Sequence, residues 1–407
     1  MKNTILLFFF IFINFLNPIS LYFTVVVNVF ILLISFQKII FDKYSQYVIF
    51  ISLFILLWAL TIMFLQDSFN EYVLLKYLRT FVSTIFIIQI SNNLSGSTKK
   101  ILLVLSIVLF LHIIAIQLQV IFPVLDLPMA FFFQFERETE VISRMGTRNL
   151  GLTSSYDTAS FISVISMIFF LIRYQYSQKT IFLILSFLSL ISTMRTSRTG
   201  MLIGVVLFFI LNFYLYLFKK QKSFFITIIF LSTGIFFLYN IVLPIIASTT
   251  DTFLSDTSFN NLDNSNREYT EGSLTGLTTG SHLNAIREIS NIDLIMGRGI
   301  DPNQVPNMET DIGYIKLIYH IGMVGFIAIF LIYFKLFRKC FSLIKNNINI
   351  NFEDKIIISF ILWYIIIVIL FNYKSLQIYS RGTHDLLLVV FFLFMNTLKK
   401  KHILKST

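Results

Sequence analysis

Long apolar runs recur along the whole chain, and they constrain the fold more than any other feature of the sequence. Each run has roughly 14–23 residues, and about 20 apolar residues are needed for a helix to cross a bilayer core of about 30 Å. Inside a bilayer every backbone polar group needs an internal partner, which a helix supplies. The sequence therefore predicts an all-α polytopic membrane protein.

Composition excludes an ordinary soluble domain. Of the 407 residues, 56% are hydrophobic and 13% are charged, whereas soluble domains are about 45–50% apolar and about 25% charged. The net charge of +11 does not indicate nucleic-acid binding, because the cytoplasmic loops of membrane proteins are basic as a rule. The single cysteine, Cys340, excludes an internal disulfide and a cysteine-rich metal site.

Twelve spans are predicted, within a single integral membrane domain that covers residues 1–407. They are 4–16, 20–36, 46–65, 78–91, 101–122, 157–172, 179–194, 200–218, 224–247, 312–334, 356–372 and 386–398. The first is interpreted as a retained helix, because no small-residue cleavage site follows it. Two long connections stand out, 123–156 and 248–311, and the second is rich in the turn-forming residues of an irregular loop.

Basic residues predict how these spans are oriented. If the amino terminus is inside and the spans alternate, the inner segments hold 17 Lys and 2 Arg, and the outer segments hold 3 Lys and 10 Arg. Cytoplasmic segments carry the excess of basic residues. Both termini are therefore predicted to be cytoplasmic, and both large loops extracytoplasmic.

Arginine outnumbers lysine in the segments that are predicted to lie outside. If these charges served only to orient the spans, arginine and lysine would be mixed on both sides. The planar guanidinium of arginine, unlike the ammonium of lysine, binds phosphate or carboxylate through two parallel hydrogen bonds. Pairing with the 18 acids predicted on the same side is the alternative. For the set as a whole we predict a lipid-linked phosphate at the outer membrane face. Its candidate ligands are Arg144, Arg148, Arg195, Arg198, Arg287 and Arg298.

The segment ETDIGYIKLIYHIGMVG, residues 309–325, carries the candidate catalytic residues Glu309, Asp311 and His320. The two acids precede a predicted helix, and a carboxylate there can act as a general base if burial raises its pKa. Helix capping for the acids and simple packing for the histidine are the alternatives. No metal ligand set, phosphate-binding glycine loop or dinucleotide motif is present in the sequence, so neither a metal nor a cofactor is predicted.

Three patches resemble the Wzy-type O-antigen and capsular polysaccharide polymerase family, which is related to the O-antigen ligases. The patches are TSRTGML at 196–202, REISNIDLIMGRGI at 287–300 and the segment 309–325. The resemblance implies a membrane glycosyltransferase of GT-C-like architecture with two large extracytoplasmic loops, located in the bacterial cytoplasmic (inner) membrane. It also implies that an acceptor hydroxyl attacks the anomeric carbon of an undecaprenyl-pyrophosphate-linked glycan, and that undecaprenyl pyrophosphate leaves.

The resemblance further implies roles for particular residues. Arginines of the two large outer loops in the family correspond to Arg144 or Arg148 and to Arg287, and Arg198 matches the Ser-Arg-x-Gly patch. They would offset charge on the leaving pyrophosphate. The related ligases place a histidine where this chain has ETDIG, which favours a polymerase and leaves the base open among Glu309, Asp311 and a more distant group.

Two other functions and several partners complete the expectations. A ligase-type transferase is the alternative within the enzymes. A lipid-linked oligosaccharide flippase is the alternative among transporters, although repeated halves and mid-membrane charges are not evident. The expected partners are the undecaprenyl-pyrophosphate-linked glycan, the lipid bilayer and a chain-length regulator protein, with no nucleic acid.

Overall fold

The fold is helical throughout the part of the chain that the computed structural model describes. The described residues are 2–16, 21–35, 42–67, 69–94, 96–125, 149–153, 155–219, 289–302, 312–345, 350–373, 375–379 and 382–406. The helices are α1 (Lys2–Leu16), α2 (Leu21–Ser35), α3 (Lys43–Leu65), α4 (Glu71–Leu94), α5 (Thr98–Ile121), α6 (Tyr156–Ser177), α7 (Thr180–Met194), α8 (Arg198–Lys219), α9 (Asn291–Met296), α10 (Gly313–Lys345), α11 (Phe352–Phe371) and α12 (Thr383–Ser406).

Six of these helices are long and apolar enough to cross a membrane, namely α3, α4, α5, α6, α10 and α11. The prediction of a helical membrane protein is confirmed at this level. Eleven of the twelve predicted stretches are helical, and the ninth, 224–247, lies outside the described residues. The total of twelve spans and the GT-C-like architecture stay predictions, as do most of the two large loops.

Helix α6 is the centre of the bundle. Helices α5, α7, α8 and α11 pack around it, and its side chains are buried from residue 159 to residue 172. Ser163 donates a hydrogen bond to the carbonyl of Ala159 at 2.9 Å, as expected for a hydroxyl inside an apolar helix bundle. A Cβ added at Gly200 would lie 1.4 Å from Ser160 Oγ. Small residues therefore let α8 approach α6 closely.

Polar contacts tie the helix ends together at one end of the bundle, which we call the Asp354 end. Thr98, at the start of α5, donates to Asp354 at the start of α11 over 2.6 Å. Asp42, which caps α3, forms an ion pair with Lys399 near the end of α12. The opposite end, where α4, α10 and α12 begin, holds His320, and we call it the His320 end.

Candidate functional site

Helix α10 is broken at Gly322, and the break brings together two glycine-containing segments that the sequence singled out. Gly322 has φ 61° and ψ −173°, a conformation open to glycine but strained for other residues. A Cβ on Gly322 would lie 2.3 Å from the Ile295 carbonyl oxygen, and a Cβ on Gly297 would lie 2.5 Å from the Gly322 nitrogen. The two backbones are in direct contact, so neither glycine can carry a side chain there.

The carbonyl groups freed by this break find partners outside the helix. The Tyr319 carbonyl accepts hydrogen bonds from the backbone nitrogens of Arg298, at 2.8 Å, and Gly299, at 3.1 Å. The Ile321 carbonyl accepts one from Trp58 Nε1 on α3 at 3.0 Å. An unpaired backbone group costs several kcal/mol in an apolar interior (roughly 2–7 kcal/mol). The break is thus stabilised by residues 297–299, which we call the docked loop, and by Trp58.

Arg298, a predicted phosphate ligand, helps to hold the docked loop. Its Nε donates to Asp293 Oδ2 at 2.9 Å, and its Cζ lies 5.5 Å from the centre of the Tyr319 ring. Burial raises the pKa of the Asp293 carboxyl, but hydrogen bonds from Ser290 and Arg298 outweigh that effect and lower the pKa overall. These contacts give Arg298 a positioning role, and its role as a phosphate ligand stays a prediction.

His320, a predicted catalytic residue, is buried in α10 two residues before the break. Its Nδ1 lies 3.5 Å from Tyr77 Oη on α4, and its Nε2 lies 3.8 Å from Asp301 Oδ2, just after the docked loop. The side chain of His320 is 1% exposed. A phenol on one ring nitrogen and a carboxylate facing the other form an arrangement suited to orienting an imidazole for proton transfer.

Two lysines lie near this histidine, and an arginine lies beside one of them. Lys76 and Arg79 lie one helical turn apart on α4, and Lys316 lies one turn before His320 on α10. The charged neighbours of Lys76 are Arg79, Asp301 and Lys316, and the acid that interacts with Arg79 is Asp385 at the start of α12. Among the described residues of this cluster, three cations face two carboxylates. An excess of partly buried positive charge favours an anionic ligand.

A run of aromatic rings leads from this cluster into the bundle. The ring centres of Tyr77 and Tyr379 are 5.9 Å apart, and those of Tyr379 and His384 are 4.7 Å apart. Tyr333 Oη lies 3.0 Å from His384 Nδ1 and accepts a hydrogen bond from the Tyr379 nitrogen at 3.3 Å. Tyr379 has φ 58°, which is uncommon for a non-glycine residue. These contacts hold the connection between α11 and α12 against α4.

His112, in contrast, has a structural role in α5. Its Nδ1 accepts a hydrogen bond from the Leu152 nitrogen at 3.2 Å, and its Nε2 lies 3.3 Å from the Ala159 carbonyl oxygen. Gly151, with φ 59°, packs directly on its ring. The histidine therefore fastens residues 149–153 to the bundle.

Of the remaining predicted site residues, the structure describes Arg195 and the backbone of Arg198. Arg195 ends α7, and its carbonyl accepts a hydrogen bond from the Asn149 nitrogen at 2.7 Å. Arg198 is the first residue of α8. Outside the described residues lie Glu309, Asp311, Arg144, Arg148 and Arg287. Their roles stay predictions.

Several residues of the cluster were not selected from the sequence. They are Lys76, Tyr77, Asp301 and Asp385, whereas Arg79 is one of the ten arginines predicted on the outer side. The fourth span is predicted to begin at residue 78, but α4 begins at Glu71, so Lys76 joins Arg79 inside a helix that is apolar enough to cross a membrane. Charges inside such a helix indicate a functional site, and this signal would have found both residues.

A scan against models of known protein families and a search of curated proteins both find no match for this chain. The candidate site therefore rests on its own geometry and charge.

Proposed function

We propose that this protein is a membrane glycosyltransferase that polymerises undecaprenyl-pyrophosphate-linked oligosaccharide repeat units on the outer face of the bacterial cytoplasmic membrane. The observation that carries the proposal is the cluster in which His320 lies buried between Asp301 and Tyr77, with Lys76 and Lys316 near it and Arg79 next to Lys76. Glycosyl transfer from a lipid pyrophosphate needs a group that accepts the proton of the acceptor hydroxyl, and cations that stabilise the leaving group. This cluster offers both.

In the proposed reaction, the oxygen of the acceptor hydroxyl attacks the anomeric carbon of the donor, and its proton passes through the Tyr77 hydroxyl to Nδ1 of His320. Asp301 orients the imidazole ring and stabilises its protonated form, as the carboxylate does in other histidine-centred sites. The bond between the anomeric carbon and the pyrophosphate oxygen breaks, and its electron pair stays with the pyrophosphate. Glu309 and Asp311, which precede the same helix in the sequence, remain alternative bases.

The cations then stabilise the leaving group. Arg79 can offer two parallel hydrogen bonds to phosphate oxygens, and Lys76 and Lys316 add point charges. Arg79 lies eight residues into the 24-residue helix α4, which is about 12 Å along an axis of about 36 Å. The cluster thus lies about a third of the way along α4, in the half of the bundle where α4, α10 and α12 begin.

A lipid-linked oligosaccharide flippase is the second candidate function, because a broken helix such as α10 is also a feature of transporters. Discontinuous helices in transporters expose backbone groups and ionisable residues to a substrate near the membrane midplane. In this protein both freed carbonyls, those of Tyr319 and Ile321, are already bonded to the docked loop and to Trp58. The break therefore serves the packing of α10, which supports the transferase over the flippase.

Deletion of the gene in its native host, followed by gel analysis of the surface glycan, tests the proposed function. A product that carries a single repeat is the expected result for the loss of a polymerase. Accumulation of a lipid-linked polymer that is not transferred would identify a ligase instead. Lipid-linked single repeats trapped inside the cell would identify a flippase, and either of these two results would overturn the proposal.

The substitution Arg79→Gln is expected to reduce chain elongation by about 10²-fold, because it removes a preorganised cation from the leaving-group site. The measurement is the length distribution of the surface glycan when the variant is expressed in the deletion strain. Arg173→Gln is the matched control, since Arg173 is also partly buried but lies against Phe182, 4.0 Å from the ring centre, away from the cluster. If the Arg79→Gln and Arg173→Gln variants produced surface glycans with the same length distribution, the proposed role of Arg79 would be contradicted.

A further inference from the structure

A second group of cations lies on the surface of α3 and α10, well away from His320. Lys335 Nζ is 4.2 Å from the centre of the Tyr47 ring and 5.8 Å from that of Tyr44. Lys339 Nζ is 5.3 Å from the centre of the Tyr44 ring. The two lysines are four residues apart on α10 and the two tyrosines three apart on α3, so each pair shares one helix face. We call these four residues the Lys–Tyr patch.

No acid among the described residues forms an ion pair with either lysine of the patch. Within the described chain, the ammonium groups of Lys335 and Lys339 have ring contacts but no carboxylate within ion-pair distance. Asp42, two residues before Tyr44, is already engaged by Ser45 and Lys399. Burial raises the pKa of the Asp42 carboxyl, but these hydrogen bonds outweigh that effect and lower it overall. The patch therefore keeps two positive charges, and an anion complements it.

The surroundings of the patch are apolar and exposed. Phe330 is 43% exposed, Leu331 42% and Phe334 51% on α10, and Phe50 is 70% exposed on α3. A helix needs about 20 residues to cross the hydrocarbon core, and counting 20 residues from Gly313, where α10 begins, reaches Tyr333. Lys335 and Lys339 thus fall where the headgroup region begins, with an apolar surface on the membrane side.

We infer that the Lys–Tyr patch binds the phosphate of an anionic phospholipid, whose acyl chains lie along the exposed aromatic side chains of α10. An anionic phospholipid carries a negatively charged phosphate that can pair with the two lysines. Its acyl chains can cover the exposed apolar side chains next to them. Tyrosine rings hold the two ammonium groups side by side and present them at the level of the headgroups. This inference is independent of the proposed catalytic activity.

The test measures lipid retained by the purified full-length protein after its release from nanodiscs, by native mass spectrometry. Nanodiscs of phosphatidylglycerol are compared with nanodiscs of phosphatidylcholine. We expect phosphatidylglycerol to be retained by the wild-type protein, and the double variant Lys335→Gln with Lys339→Gln to bind it about 30-fold more weakly. Each basic side chain near an anionic surface strengthens binding roughly fivefold. Lys345→Gln, at the exposed end of the same helix, is the control and should bind as wild type does.

Further variants keep the test decisive. The double variant Lys335→Arg with Lys339→Arg keeps both charges and is expected to retain the lipid, whereas Tyr47→Leu removes the ring under Lys335 and is expected to weaken binding several-fold. Unfolding midpoints in phosphatidylcholine show that each variant is folded. Undiminished phosphatidylglycerol binding by the double glutamine variant would overturn the inference. Displacement of the lipid by inorganic phosphate at equal concentration would also overturn it, because the site would then recognise free phosphate.

Discussion

The substitution Gly322→Ala is expected to destabilise the protein by at least about 3 kcal/mol, which is at the large end for a single substitution. Two costs add. The backbone at Gly322, with φ 61°, is strained for any residue with a side chain. The new Cβ would also lie 2.3 Å from the Ile295 carbonyl oxygen and 2.5 Å from the Gly297 nitrogen. Both contacts are with backbone atoms, so no rotamer change relieves them.

The consequence of Gly322→Ala extends to the candidate site. If the docked loop moves away, the Tyr319 carbonyl loses its two donors and Asp301 moves away from His320. Thermal unfolding of the purified protein in detergent measures the loss of stability, and the glycan ladder in the deletion strain measures the effect on the candidate site.

Gly204→Ala is the matched control in α8. Its Cβ would meet side-chain atoms at 3.3–3.5 Å, so we expect a change within about 1 kcal/mol. A Gly322→Ala variant with wild-type stability would show that the close approach of the two backbones is not required.

The substitution His320→Gln is expected to reduce glycan elongation by 10²- to 10⁴-fold (about the range for loss of a general base) while the protein still inserts and folds. Glutamine is close to histidine in size and can still form a hydrogen bond with Tyr77, but its amide does not accept a proton at neutral pH. The side chain is buried between Tyr77 and Asp301, so the change in volume is small. The measurement is again the glycan ladder, normalised to the amount of folded protein in the membrane.

His112→Gln is the control that separates catalysis from packing. Both histidines are fully buried inside helices, but His112 holds the Leu152 nitrogen and lies outside the cation cluster. We expect His112→Gln to lower the free energy of unfolding by about 1–3 kcal/mol, through a weakened hydrogen bond to a buried donor, and to leave elongation per folded molecule unchanged. If His320→Gln behaved in the same way as His112→Gln, the catalytic role of His320 would be abandoned in favour of Glu309 or Asp311.

Much of the helical framework could be predicted from the sequence because it depends on local composition. Apolar runs of sufficient length have one favourable form in a bilayer, and all the predicted stretches within the described residues are helical. The predicted start of α4 is too late, because the apolar pattern weakens at Lys76. In the structure Lys76 and Arg79 are neighbours of Asp301 and Asp385, so partners from distant parts of the chain make those charges tolerable inside the helix.

The candidate site was only partly predictable, because its geometry comes from contacts between remote segments. The motif at 297–299 and the segment around His320 were both singled out, but their lengths and spacing do not show that the first packs into a break in the second. Tyr77 precedes His320 by 243 residues, and their contact follows from how α4 packs in the bundle. The local sequence pattern thus identified individual candidate residues, but it did not identify the residues that contact them in the folded protein.

The burial of α6 has a consequence for how this protein is made. Among the six helices long enough to span a membrane, α6 is the least apolar and the most completely covered by other helices. Lipid alone therefore stabilises it least, and its serine-bearing surface needs protein neighbours. The connection to α7 has two residues, so α7 is available almost at once, whereas α11 emerges only when most of the chain has been synthesised. The centre of the bundle is thus one of the last places where membrane insertion and helix association are completed.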